Sequence, residues 1–98
     1  VGVKGYAQQT AYTASKHALR GLSIALAEEL RGTNVRVHVV CPGGVATELV
    51  TRVRPDIKTD ELIQPGEVAE LVLYLVTHQG NAVMDELHLR RATAAPWF

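Results

Sequence analysis

Apolar and polar positions divide the chain into patterned segments. In residues 11–31, Leu19, Leu22, Leu26 and Leu30 recur at spacings of three and four, which predicts one stripe of an α-helix. Ala14, Ala18, Gly21 and Ala25 recur in the same way, forming a second stripe of small side chains that lets another helix approach closely. Glu28, Glu29 and Arg31 lie on the polar side near the end, where Gly32 supplies a stop and Thr33-Asn34 a turn. Residues 35–41 read Val-Arg-Val-His-Val-Val-Cys, a β-branched run bounded by turn residues, and are predicted to form a strand. Pro42-Gly43-Gly44 ends it, because proline has no N–H to donate and glycine tolerates positive φ.

Residues 45–64 mix charges and apolar positions without a long period; a short helix around 47–53 fits, with Pro55 limiting its extension. A second strong helix is predicted over 65–78. Pro65 suits its first position, Glu67 favours its positive end, and Val68, Leu71, Val72, Leu75 and Val76 form its buried stripe before Gly80-Asn81. In residues 83–90, Leu87 and Leu89 alternate with Glu86, His88 and Arg90, the pattern of an edge or half-covered strand. Trp97 and Phe98 are expected to dock the tail. The order helix, strand, helix, strand implies a parallel βαβ unit with a right-handed crossover. Two parallel strands need more strands beside them, so the chain is expected to be part of a larger sheet.

Composition narrows the classes. Ten basic residues balance ten acidic ones, which argues against a nucleic-acid surface, and 47% hydrophobic content argues against a disordered polymer. One cysteine, Cys41, excludes an intrachain disulfide and fits a reduced, cytoplasmic setting. The longest apolar run, 71–76, is too short for the roughly 20 residues of a membrane span, and residues 1–9 carry no signal-peptide pattern. The first residue is Val rather than Met, which also fits a piece of something longer.

The informative chemistry is Tyr12 with Lys16. At i and i+4 both side chains leave one helix face, one turn apart. A phenol is a poor acid or base at neutral pH, but an ammonium beside it favours the phenolate and allows proton exchange with an alcohol or carbonyl oxygen. The same ammonium can donate to neighbouring ribose hydroxyls. Tyr and Lys at this spacing are also a common helix-surface pair, so the flanking Ser15 and His17 and the following strand and Pro-Gly turn carry weight. His17, His38, His78 and His88 form no tight ligand spacing, and no metal site is expected. Cys41 reads as a small core residue, Ser23 as helix packing, and Arg52, Arg54 and Lys58 as a solvated loop with Asp56 and Asp60.

The run Ala-Tyr-Thr-Ala-Ser-Lys-His-Ala-Leu at 11–19 resembles the active-site helix of the short-chain dehydrogenase/reductase family, with its Tyr-x-x-x-Lys signature. Cys-Pro-Gly-Gly-Val-Ala-Thr at 41–47 resembles the family's Pro-Gly-x-Val-x-Thr nicotinamide loop. Pro-Gly-Glu-Val-Ala at 65–69 resembles its last large helix, and 83–90 its final strand. The resemblance implies an α/β fold, the C-terminal half of a Rossmann-like doubly wound parallel sheet, with 1–98 a partial NAD(P)-binding domain lacking its N-terminal half. It implies an oxidoreductase moving hydride between NAD or NADP and a carbonyl or alcohol. Tyr12 would be the acid/base; Lys16 would bind the ribose and lower the Tyr12 pKa. Pro42 and Gly43 would shape the turn under the nicotinamide, the Val45 backbone and Thr47 hydroxyl would contact the carboxamide, and Gln9 would face a small-molecule substrate.

The family's catalytic serine falls just upstream of Val1, and no Gly-rich phosphate turn or NAD/NADP-choosing residue occurs in the chain. Two readings therefore stand. The complete parent is an oxidoreductase, a homo-oligomer by resemblance. Alternatively, these residues form a non-catalytic fragment or oligomerisation module, inactive alone.

Overall fold

The computed structural model describes residues 10–46, 52 and 54–96. Along them run α1 (Thr10–Glu29), β1 (Val39–Pro42), a 3₁₀ turn (Thr59–Glu61), α2 (Pro65–Thr77) and β2 (Glu86–Leu89). This is the predicted order, a partial α/β fold. The short helix predicted around 47–53 and the docking of Trp97 and Phe98 fall almost wholly outside the described residues. The chain divides into two units, Val1–Cys41 with Asp85–Leu87 and Pro42–Met84 with His88–Phe98.

In the first unit, α1 stops where glycine is required. Gly32 has φ 82°, a left-handed conformation that a side chain disfavours. The Thr33 N–H and hydroxyl both donate to the Leu30 carbonyl, at 3.0 and 2.5 Å. Val35 N–H in turn donates to Thr33 Oγ1, turning the chain out of the helix.

The leucine stripe does not face a core. Leu19, Leu22 and Leu26 are exposed, Leu22 by 63%. The half-buried line of α1 is Thr13, Lys16, Arg20, Ser23, Ala27 and Leu30, also spaced by three and four but mostly polar or small. Nothing described lies within 4 Å of a Cβ added at Gly21, so the small-residue stripe is open as well.

β1 and β2 form a two-stranded sheet. Val39 N–H donates to Asp85 O at 2.9 Å, and Gly43 N–H to Leu89 O at 2.8 Å. The same four-residue advance on both strands makes the pair parallel. These donors are odd-numbered, so Pro42, which has no N–H, falls on the side turned away from β2. Pairing is shorter than the predicted strands over 35–41 and 83–90. The observed strands begin at Val39 and Glu86, and Val35 and Val83 are exposed.

The second unit holds the buried apolar side chains, Leu62, Ile63 and Leu75. Gln64 leads into α2, and its backbone N–H donates to Glu67 Oε2 at 2.9 Å, fixing the first turn. Val68, Leu71 and Leu75 share one inner line. Val72 and Val76, predicted to be buried with them, are 43% and 72% exposed because they sit about 100° further around the helix. After α2 the His78 ring stacks on Tyr74, with centroids 5.1 Å apart. A Cβ at Gly80 would lie 2.9 Å from that ring, so a larger residue there would make the His78 ring shift. Among the described residues, no helix is long and apolar enough to cross a membrane.

Candidate functional site

α1 presents Tyr12 near its start, about two turns before its midpoint. Tyr12 is 49% exposed. Lys16 follows one turn later on the half-buried line, and its Nζ stands 5.3 Å from the centre of the Tyr12 ring. The i, i+4 spacing thus brings an ammonium and a phenol together as predicted.

Neighbouring polar groups are occupied within the helix. Ser15 Oγ donates to Tyr12 O at 2.8 Å, Ser23 Oγ to Leu19 O at 2.8 Å, and His17 Nδ1 donates to Thr13 O at 2.8 Å. These bonds leave Ser15 and Ser23 as helix residues rather than nucleophiles. Gln9, predicted to face the substrate, lies outside the described residues.

The loop after β1 is held from two directions inside the second unit. Gly43 N–H donates to Leu89 O, and a Cβ at Gly43 would meet that oxygen at 3.3 Å, so the glycine serves a close backbone approach. Ile63 N–H donates to Gly44 O at 2.9 Å and Ala46 N–H to Ile63 O at 2.7 Å, making a parallel bridge between Val45 and Ile63. In such a bridge the groups of Gly44 and Ala46 face Ile63, so the N–H and C=O of Val45 point the opposite way. Pro42, Gly43 and Val45 therefore share one pinned turn with a backbone donor and acceptor directed outward. Thr47 lies outside the described residues.

Other sequence candidates resolve into structural roles. Burial pushes the Cys41 thiol up, and Glu86 pushes it the same way, which disfavours a reactive thiolate. Arg54 grips Asp56 with Nε and Nη2, each 3.0 Å from a carboxylate oxygen, on an exposed loop. That pair raises the Arg54 pKa and holds the Asp56 carboxyl below its ordinary range.

Arg20, on the same line as Lys16, binds the Glu86 carboxylate through both Nε and Nη2, and the second bond is 3.0 Å. The pairing with Lys16 was visible as a four-residue spacing, but the partner is 66 residues away. A cavity of about 370 Å³ lined by Ser23, Ile24, Ala27, Val37, Val39 and Glu86 lies along the later half of α1, away from Tyr12.

The family model for short chain dehydrogenases matches residues 1–58. The short-chain dehydrogenase/reductase olcF of Penicillium canescens is 38% identical over 103 residues, covering 84% of this chain and 40% of its own length. An acetoacetyl-CoA reductase of an Acinetobacter species is 40% identical over 93 residues, covering 87% and 38%.

Among solved structures, a β-ketoacyl-[ACP] reductase from Bacteroides thetaiotaomicron superposes with a TM-score of 0.74 at 27% identity. The match covers 86% of this chain and 36% of that one. A 4-hydroxyisoleucine dehydrogenase complexed with NADH superposes with a TM-score of 0.73 at 27% identity, covering 92% and 40%. The chain thus spans about 40% of the length of these relatives. With the matched model extending over more than half of its residues, the chain belongs to the short-chain dehydrogenase family.

Proposed function

We propose that these residues carry the proton-transfer part of an NAD(P)-dependent oxidoreductase acting on a small carbonyl or alcohol substrate. The observation that carries this reading is the exposed Tyr12 phenol with the Lys16 ammonium 5.3 Å from its ring, in a chain of this family. The chemistry of the donors suits a nicotinamide nucleotide: an ammonium matches vicinal ribose hydroxyls, and, separately, an outward backbone N–H and C=O match a carboxamide. When bound, the nicotinamide supplies or accepts the hydride.

In the reducing direction Tyr12 donates its phenolic proton to the substrate oxygen, and the Lys16 charge offsets the phenolate left behind. In the oxidising direction the phenolate takes that proton back. Pro42, Gly43, Val45 and Thr47 would hold the nicotinamide end of the cofactor. Gln9 faces the substrate. The complete protein acts as a homo-oligomer in the cytoplasm.

The test is made on the complete gene product containing these residues. Lys16→Met is expected to weaken NADH or NADPH binding in a fluorescence titration and to lower kcat with a carbonyl substrate at least about a hundredfold. Binding and turnover both equal to wild type would refute the assignment.

A second reading, a non-catalytic assembly module, is favoured by the exposed apolar side chains Leu19, Leu22 and Ile24 on α1 and Leu73 and Val76 on α2. Steady NAD(P)H oxidation by the purified gene product, abolished by Tyr12→Phe, would exclude it.

A further inference from the structure

Arg20 occupies an unusual place for a charged residue. It follows Lys16 by one turn on the half-buried line of α1, in a helix that contains no fully buried side chain. Its guanidinium meets Glu86 fork to fork, and both side chains are mostly shielded, at 35% and 26% exposure. The pairs Arg31–Glu28 and Arg54–Asp56 differ: each joins near neighbours in sequence, and each is more than half exposed. The guanidinium–carboxylate fork is planar and directional, so it resists both rotation of the helix about its axis and sliding along it. Apolar packing does not do that job here, because the leucines of α1 face outward.

A helix transmits rotation. About 6 Å of hydrogen-bonded backbone separates Arg20 from Lys16, so the angle fixed at Arg20 is the angle at which Lys16 and Tyr12 emerge. We propose that the Arg20–Glu86 fork is a positioning device for the reaction, setting the rotation of α1 at which the Tyr12 phenol meets the substrate oxygen with the Lys16 ammonium beside it. This inference rests on the reading of Tyr12 and Lys16 as the reacting pair. Neither Arg20 nor Glu86 touches substrate in this scheme; both act through α1. Rate depends steeply on the placement of reacting groups, and a 1 Å error costs roughly a hundredfold. Ground-state binding of the substrate is less sensitive.

The experiment uses the complete gene product, with kcat and KM measured at saturating cofactor. Arg20→Met is expected to lower kcat about ten- to hundredfold and to leave the substrate KM within about threefold. Arg20→Lys keeps the charge without the fork and is expected to fall between Arg20→Met and wild type. Arg20→Met combined with Glu86→Met is expected to lose no more kcat than Arg20→Met alone, since the two residues act as one unit. Arg31→Met, which breaks an exposed pair on the same chain segment, keeps wild-type kcat.

Wild-type kcat in Arg20→Met with only a lower melting temperature would make the fork structural and overturn the proposal. So would kcat losses that add in the double variant. If Arg20→Met does not fold, Arg20→Lys decides: wild-type kcat there also overturns it. Tyr12→Phe separates this inference from the one beneath it. Full turnover in Tyr12→Phe removes the reacting pair itself, whereas an inactive Tyr12→Phe beside fully active Arg20 variants removes only the positioning role.

Discussion

α2 turns Val68, Leu71 and Leu75 inward, and its unit contains the buried Leu62 and Ile63 as well. α1, longer by about two turns, has no buried side chain, and its less exposed line begins Thr13, Lys16, Arg20, Ser23. α2 is held by apolar burial in the ordinary way. α1 ends at the Gly32 turn and is tied across the fold by the Arg20–Glu86 ion pair. The helix to which the proposal assigns the chemistry is the one that breaks the rule linking apolar periodicity to the core. On the proposed reading, local inconsistency and function coincide on α1.

Substitutions can break this contrast. The largest expected stability effect is Leu75→Ala, which removes a buried side chain and is expected to destabilise the protein by about 2–5 kcal/mol in denaturant unfolding. Gly32→Ala is next, at about 1–2 kcal/mol, because alanine must adopt the left-handed conformation that ends α1. Leu22→Ala is expected to shift stability by about 0.5 kcal/mol or less, since the side chain is already in water. A loss at Leu22 as large as that at Leu75 would mean that α1 is held by apolar burial after all.

The smallest effect is expected at Asp56. Arg54 holds its carboxyl below the ordinary range, so its contribution is present above the unfolded carboxylate pKa of about 4 and is lost as pH falls below it. Both side chains are exposed and screened by salt, so Asp56→Asn should leave the melting curve at neutral pH unchanged.

Both long helices, the Gly32 stop, the two strands and their parallel order were legible from periodicity and turn residues, because those signals are local. Tyr12 with Lys16 was legible for the same reason: their meeting is decided by one turn of helix. Strand length was not, since Val35 and Val83 are strand-like in composition but pair only where a neighbour exists. The inner face of α1 was hidden because Leu19, Leu22 and Leu26 make the stronger apolar signal. Arg20 earns its place only through Glu86, on a strand whose register no local pattern sets. The outward direction of the Val45 backbone needed the bridge to Ile63, another contact distant in sequence.

The central claim is that Tyr12 supplies the proton. Its most direct test is the turnover number of Tyr12→Phe at saturating cofactor in the complete gene product, with cofactor binding and melting temperature measured on the same sample. The account predicts turnover lowered by at least about a hundredfold, with binding and melting temperature unchanged, because the lost hydroxyl lies on an exposed side chain. Turnover within about twofold of wild type would contradict it.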